Sequence, residues 1–240
     1  MAGGAYVALT GLRSRIEQLD RLAADIANAG TAGYKAERVT SVAVDRPDFG
    51  RALESAVDVA AGPGHLDFRK GSVAITGRDL DVALDGAGFF EIEAPAGARY
   101  TRNGQFTRSG DGRLVTSDGL PVMGEKGPIT LADGPVVIET DGTVRADGVI
   151  AGRLRVVDFD DYTRLAREDA GRFRAGTGAG PRLTTDPLVR SGALEQSNVS
   201  LPERMVQLTE TARAFEGLQR GLSLLLNDID GRAISELNRR

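Results

Sequence analysis

Apolar positions near the N-terminus fall at Leu9, Leu12, Ile16, Leu19, Ala23 and Ile26. Their spacings alternate between three and four, the a/d rhythm of a helix that seeks another helix. Between them stand Arg13, Arg15, Glu17, Gln18, Asp20, Arg21 and Asp25, which suit a solvated face. The C-terminal stretch repeats the rhythm through Leu201, Met205, Leu208, Ala212, Phe215, Gln219, Leu222, Leu226 and Ile229, with Gln219 its polar member. Ser200, Pro202 and Glu203 read as helix cap, first-turn proline and capping-box acid. Helices are therefore predicted over 5–29 and 201–230. The matched seams predict that they pair in an antiparallel hairpin. Leu22, Leu218, Leu224 and Leu225 lie off those seams and would offer surface to other copies of the chain.

Between 73 and 185 the period changes to two. Short runs such as Leu80–Leu84, Phe89–Ile92, Arg113–Thr116 and Arg153–Val157 are separated by Asp85-Gly86, Asp111-Gly112, Asp118-Gly119, Asp133-Gly134, Asp141-Gly142 and Asp147-Gly148. Asp-Gly favours tight hairpin turns because both residues tolerate positive φ. The predicted fold class is α+β: an antiparallel, coiled-coil-like hairpin of the N- and C-terminal helices, with an inserted antiparallel β domain. The predicted division is a discontinuous helical domain over 1–30 and 199–240, extended connectors carrying short strands over 31–72 and 186–198, and a β-rich domain over 73–185. The segment ANAGTAGYKAER, residues 27–38, joins the first helix to a connector. Gly30 is expected to take a left-handed helix stop and Gly33 a second positive-φ turn. On that reading the segment is a hinge, and Gly33→Val harms assembly more than folding.

Composition narrows the chemistry. The 240 residues carry a net charge of −4, no cysteine and a single histidine. Disulfides, thiolate metal sites and cysteine nucleophiles are excluded. The charge and the lack of a basic face argue against nucleic acid as a partner. No apolar run is long enough to span a membrane, and the N-terminus lacks the features of a cleavable secretory signal. His65 stands alone in a connector. Gly176–Pro181 misses the spacing of a phosphate loop and opens no helix. Asp158, Asp160 and Asp161 read as a solvated strand end rather than a carboxylate pair, and the Asp-Gly turns follow neither calcium-loop pattern. Asn198-Val199-Ser200 matches a glycosylation acceptor but reads better as the approach to a helix cap. No catalytic, metal or cofactor-binding residue is assigned, and no cofactor is expected.

Three motifs then carry a resemblance. The first is Asn28-Ala29-Gly30-Thr31-Ala32-Gly33-Tyr34-Lys35. The second is Leu84-Asp85-Gly86-Ala87-Gly88-Phe89-Phe90-Glu91-Ile92, followed by Tyr100-Thr101-Arg102-Asn103-Gly104. The third is Ser191-Gly192-Ala193-Leu194-Glu195-Gln196-Ser197-Asn198-Val199. In this order they resemble the flagellar basal-body rod and hook protein family. Tyr34 stands where Phe is commoner. The length and the run Gly119–Ile129 point to the proximal part of the rod, with the distal rod as the alternative.

The resemblance implies a structural subunit with no enzymatic activity. It would polymerise with copies of itself and with other rod proteins into a helical drive shaft that transmits torque around an export channel. It further implies passage through the flagellar type III export apparatus without a cleaved signal, and a place in the periplasmic part of the basal body. Leu9, Leu12, Ile16, Leu19, Ile26, Met205, Leu208, Phe215, Leu222 and Leu226 would form the assembly interface. Asn28, Thr31, Gly33, Tyr34, Gly86, Gly88, Phe89, Phe90, Gly192, Leu194, Glu195 and Asn198 would be the motif and hinge positions. Readings from other classes are a cell-wall hydrolase, which needs paired carboxylates or a metal cluster, and an adaptor that dimerises through its helices.

Overall fold

The structure is a computed structural model that describes the chain over residues 2–39 and 64–237. Residues 40–63 of the first predicted connector lie outside the described residues, as do the side chains of Leu224, Leu225, Leu226 and Ile229. Helix α1 spans Ala2–Ala27 and helix α2 spans Leu201–Leu237. The Ser200 carbonyl accepts the Arg204 N–H at 3.0 Å and so begins the α2 ladder ahead of Pro202. After Ala27 the chain turns back on itself. Thr31 N–H reaches the Asn28 carbonyl at 3.1 Å, and Thr31 Oγ1 meets Asn28 Oδ1 at 3.1 Å. Gly33, not Gly30, takes the positive φ, at +70°.

The helices fall in one compact unit with the strand Glu37–Val39; the other unit comprises Asn28–Ala36 and Leu66–Val199. α+β holds in its broad sense, because two terminal helices flank a large antiparallel β unit. The coiled-coil-like hairpin does not. The helices touch where a Cβ at Gly11 would sit 3.7 Å from Leu218 Cδ1, and where Arg204 Nε meets Asp25 Oδ2 at 3.1 Å. The a/d seam is not closed: Leu9 is 56% exposed, Ile16 47% and Met205 51%. Leu22, which lies off the seam, is only 5% exposed, and Asp25 beside it on the helix is buried too. A heptad stripe states which residues would zip if a matching stripe lay opposite. Here an ion pair from another face makes a contact between the helices instead.

In the β unit a six-stranded antiparallel sheet runs in the order Leu165–Arg167, Arg172–Ala175, Gly97–Thr101, Phe89–Ala94, Val156–Phe159, Pro181–Leu183. Its central strands are apolar on both faces. Successive side chains on a strand point to opposite faces. Phe90 and Val156 accordingly enter a core with Val82, Ile92, Phe106, Leu114 and Leu154. Phe89 and Val157 enter a second core with Tyr100, Phe159, Leu165 and Phe173. Around the sheet, hairpins turn at Asp111-Gly112, Asp141-Gly142 and Asp147-Gly148 as predicted, whereas the strands that flank Asp85-Gly86 and Asp133-Gly134 pair elsewhere. At Asp147-Gly148 both residues have positive φ, +50° and +76°, as a tight turn between Thr143–Ala146 and Val149–Arg153 requires. The segment predicted as a C-terminal connector folds back as two short strands: Val189–Ser191 pairs with Val82–Leu84, and Ala193–Glu195 with Val73–Ile75.

Candidate functional site

A densely bonded place in the β unit is built on Tyr34, Lys35 and Ala36, in the segment that reads as a hinge. The flanking Gly33 turns them inward. Gly33 gives the chain its positive φ and lies so close to the next strand end that a Cβ would come 2.3 Å from Asn103 N and 2.4 Å from Arg102 C. Gly33 N–H then donates to the Glu195 carbonyl at 2.8 Å. Tyr34 is fully buried, its ring 4.4 Å beneath the Arg167 guanidinium, which also donates to Tyr34 Oη at 2.5 Å and to the Lys35 carbonyl.

Lys35 and Glu195 form a buried ion pair, Nζ to Oε1 at 2.5 Å, with both side chains 1% exposed. The ammonium also donates to the Arg69 carbonyl at 2.8 Å. Glu195 is further satisfied by Arg102 Nη1 at 3.2 Å on Oε2 and by the Gly71 N–H at 3.2 Å on Oε1. Gly71 must be glycine for that approach, because a Cβ there would lie 1.9 Å from the Gln196 carbonyl oxygen. Arg102 stacks its guanidinium 5.3 Å from the Phe89 ring centroid and so ties the pair to the second core. Burial lowers the Lys35 pKa, against the opposing pull of Glu195.

Asn198 closes the arrangement with all of its carboxamide. Its Oδ1 accepts the Ala36 N–H at 2.7 Å, and its Nδ2 donates to the carbonyls of Asp67 at 2.7 Å and Arg69 at 3.1 Å. Its own N–H reaches the Tyr34 carbonyl at 3.3 Å. No other side chain of that size offers one acceptor and two donors in this arrangement.

Of the predicted motif residues, the structure therefore brings together Gly33, Tyr34, Glu195 and Asn198. Leu194 is buried in the adjoining strand. Asn28 and Thr31 make the turn that precedes them, and Gly192 takes φ +69° between the two returning strands. Phe89 and Phe90 are core residues. Gly88 has φ +104°, and a Cβ would meet Val156 Cγ1 at 2.9 Å, whereas Gly86 has open space around it. The helix positions are a separate group. Leu9, Ile16 and Met205 are exposed, and Leu12, Leu19, Ile26, Leu208, Phe215 and Leu222 are half-buried. Leu226 lies among the side chains outside the described residues.

Lys35, Arg102 and Arg167 were missed as site residues. The signal that could have found Lys35 is a lysine set between Tyr34 and Ala36 in a glycine-rich turn, matched by Glu195 at the end of the apolar run Ala193-Leu194. Such isolated charges in apolar settings are buried only when paired.

The other candidate chemistry is used locally. Asp158 Oδ1 accepts from Tyr162 Oη at 2.5 Å, and burial, then this bond, pushes the Tyr162 phenol up to about 12. Asp160 pairs with Arg182 at 2.8 Å, and Asp161 caps the short 3-10 helix Tyr162–Arg164. His65 is exposed on the strand Gly64–Leu66. Gly176–Pro181 leads into the strand Pro181–Leu183, not a helix. Among the described residues no group of His, Asp or Glu is placed to hold a metal ion, and no helix is long and apolar enough to cross a membrane.

Comparison with known proteins now bears on the whole chain. Residues 83–151 match the family described as flagellar hook protein FlgE/F/G D1 domain, and residues 190–223 match flagellar basal body rod FlgEFG protein C-terminal. The flagellar basal-body rod protein FlgF of Caulobacter vibrioides is 34% identical over 224 residues, covering 91% of each chain. FlgF of Salmonella typhimurium is 35% identical over 244 residues, covering 95% of each. The rod protein FlgG of Bacillus subtilis is 26% identical, covering 88% of this chain and 90% of its own. The chain therefore belongs to the flagellar basal-body rod protein family, nearer to its FlgF than its FlgG members, and is a structural subunit of the rod in the flagellar basal body.

Proposed function

We propose that the chain assembles with other rod proteins through the uncovered apolar residues of α1 and α2, building the helical shaft that carries torque and surrounds the export channel. The observation that carries this is the exposure of Leu9, Ile16, Leu201, Met205, Val206 and Leu218 on two long terminal helices. Large apolar side chains left in water on one pair of elements mark a surface that another chain covers. Each that becomes fully buried contributes about 1.5–3 kcal/mol. A repeating, non-closing contact between identical or related subunits produces a helical polymer rather than a ring. In this reading the β unit is supplied with its own cores, the chain performs no reaction, and it reaches the periplasmic rod through the type III export apparatus.

Ile16→Asp and Met205→Asp test the proposal, because both side chains are among the exposed apolar residues of the helices. Each variant is expected to keep the wild-type unfolding midpoint and to be absent from purified basal bodies. Basal bodies that contain either variant at wild-type level would remove the helices as the assembly surface. Zymography against peptidoglycan addresses the hydrolase reading, and a cleared zone would contradict the absence of a reaction.

A further inference from the structure

Three segments meet at the Lys35–Glu195 pair: residues 33–36, 67–71 and 195–198. They are the places where the chain leaves α1, returns to the β unit, and departs towards α2. Directional bonds hold them to one another, and Phe68 of the middle segment packs edge-on to Phe89 and Phe173 of the second core. Gly33 is bonded to Glu195, Ala36 to Asn198, Asp67 to Ala36, Gln196 to Ser72 and Asn198 to Tyr34. Lys35 and Glu195 are both buried, so parting their contact strands each charge without water. The two neighbouring cores are apolar instead and are anchored on long paired strands. Bonds in a buried polar network strengthen one another. Sub-global openings follow such boundaries between bonded units.

We infer that residues 33–36, 67–71 and 195–198 form a latch that opens and closes as one unit, at lower free energy than the β unit unfolds, and so frees the roots of both terminal helices together. This goes beyond assembly through the helices and does not depend on it. A pivot would let each root move by itself. The latch makes them share one state, so an event that pulls on the end of α1 is felt at the start of α2 within the same subunit. Glu195 and Asn198 are the positioning residues, since each bonds both of the other segments.

Native-state hydrogen exchange on the full chain tests this, with Asn198→Asp as the perturbation. The substitution removes both Nδ2 donors while leaving an oxygen for Ala36. The reporters are the amides of Gly33, Gly71 and Gln196, none of which touches the Asn198 side chain. Their exchange is expected to rise together by about ten- to a hundredfold, the effect of losing buried hydrogen bonds. The amides of Glu93, Phe106 and Val122 in the β core are expected to keep their wild-type rates. Acceleration confined to Ala36 and Asn198 would show separate contacts rather than a latch. Equal acceleration of the core amides would show that the latch has no state of its own. Arg167→Lys, which loosens the Tyr34 side of the network without placing a new charge, serves if Asn198→Asp does not fold, and the same outcomes decide.

Discussion

Replacing Glu195 by Gln should destabilise the β unit more than replacing Lys35 by Met, although both break the same 2.5 Å bond. The difference lies in what each change leaves behind. Without the Glu195 charge, Lys35 and Arg102 remain buried side by side with no anion between them. Breaking a buried pair in this way costs about 3–5 kcal/mol. Without Lys35, Glu195 still accepts from Arg102 and from Gly71 N–H. The loss is then a charge-assisted hydrogen bond, about 1.5–3 kcal/mol, and the desolvation of the ammonium is no longer spent. Against a total of about 5–15 kcal/mol for a domain, Glu195→Gln takes a large share. Adding Lys35→Met to Glu195→Gln should recover part of it, because one stranded cation has gone. Urea unfolding followed by tyrosine fluorescence measures all three variants. The chain has no tryptophan, and Tyr34, Tyr100 and Tyr162 lie in the β unit. Lys35→Met costing as much as Glu195→Gln, or both costing under about 1 kcal/mol, would refute the balance of charges described here.

Gly33→Val should lower the unfolding midpoint of the β unit sharply, since it adds positive-φ strain to a Cβ 2.3 Å from Asn103 N; this reverses the expectation that assembly would suffer first, and an unchanged midpoint would restore the hinge. Gly71→Ala should act through the Gln196 carbonyl, 1.9 Å from the added Cβ, whereas Gly86→Ala, in open space, should leave the midpoint unchanged in the same denaturation series. Acid should weaken the β unit through carboxylates held below their ordinary range: Glu168 by its bond to Arg99, Asp161 by Thr163 and Asp141 by the Thr143 backbone. A depressed folded pKa stabilises above the unfolded value and is lost as pH falls through the folded one. The midpoint should therefore drop below the ordinary carboxylate range, and less steeply in Arg99→Met; equal slopes would exclude the Glu168 contribution.

The sequence displayed its local structure well and its long-range bonding poorly. Asp147-Gly148 announced its turn, because both residues tolerate the φ they adopt. Phe89-Phe90 announced a strand buried on both faces, because neither residue could be spared to water. The helices were legible from period alone, but the face they bury was not: Leu22 and Asp25, off the heptad seam, are buried residues of the first helix. A stripe constrains geometry only once a partner lies opposite it. The latch was least legible. Lys35 and Glu195 stand 160 residues apart, and nothing near either one names the other. The family resemblance marked both neighbourhoods without saying that they meet. Glycines 33 and 71 mattered for space around the backbone as much as for φ, which only the folded neighbours define.

That separation of 160 residues sets an order on folding. Synthesis delivers Lys35 early and Glu195 late, and the early residue cannot be buried as an ion until the late one arrives. Closing so long a loop is slow, and contacts of high sequence separation reward the chain only after the loop entropy has been met. Residues 28–36 must therefore remain in water while nearly all of the β unit is still being made. A chain truncated before Glu195 would hold the strands of both cores yet have nothing to bury its lysine against. The carboxylate at position 195 thus acts as a completion signal: the N-terminal segment docks only on a β unit whose last strand has been made.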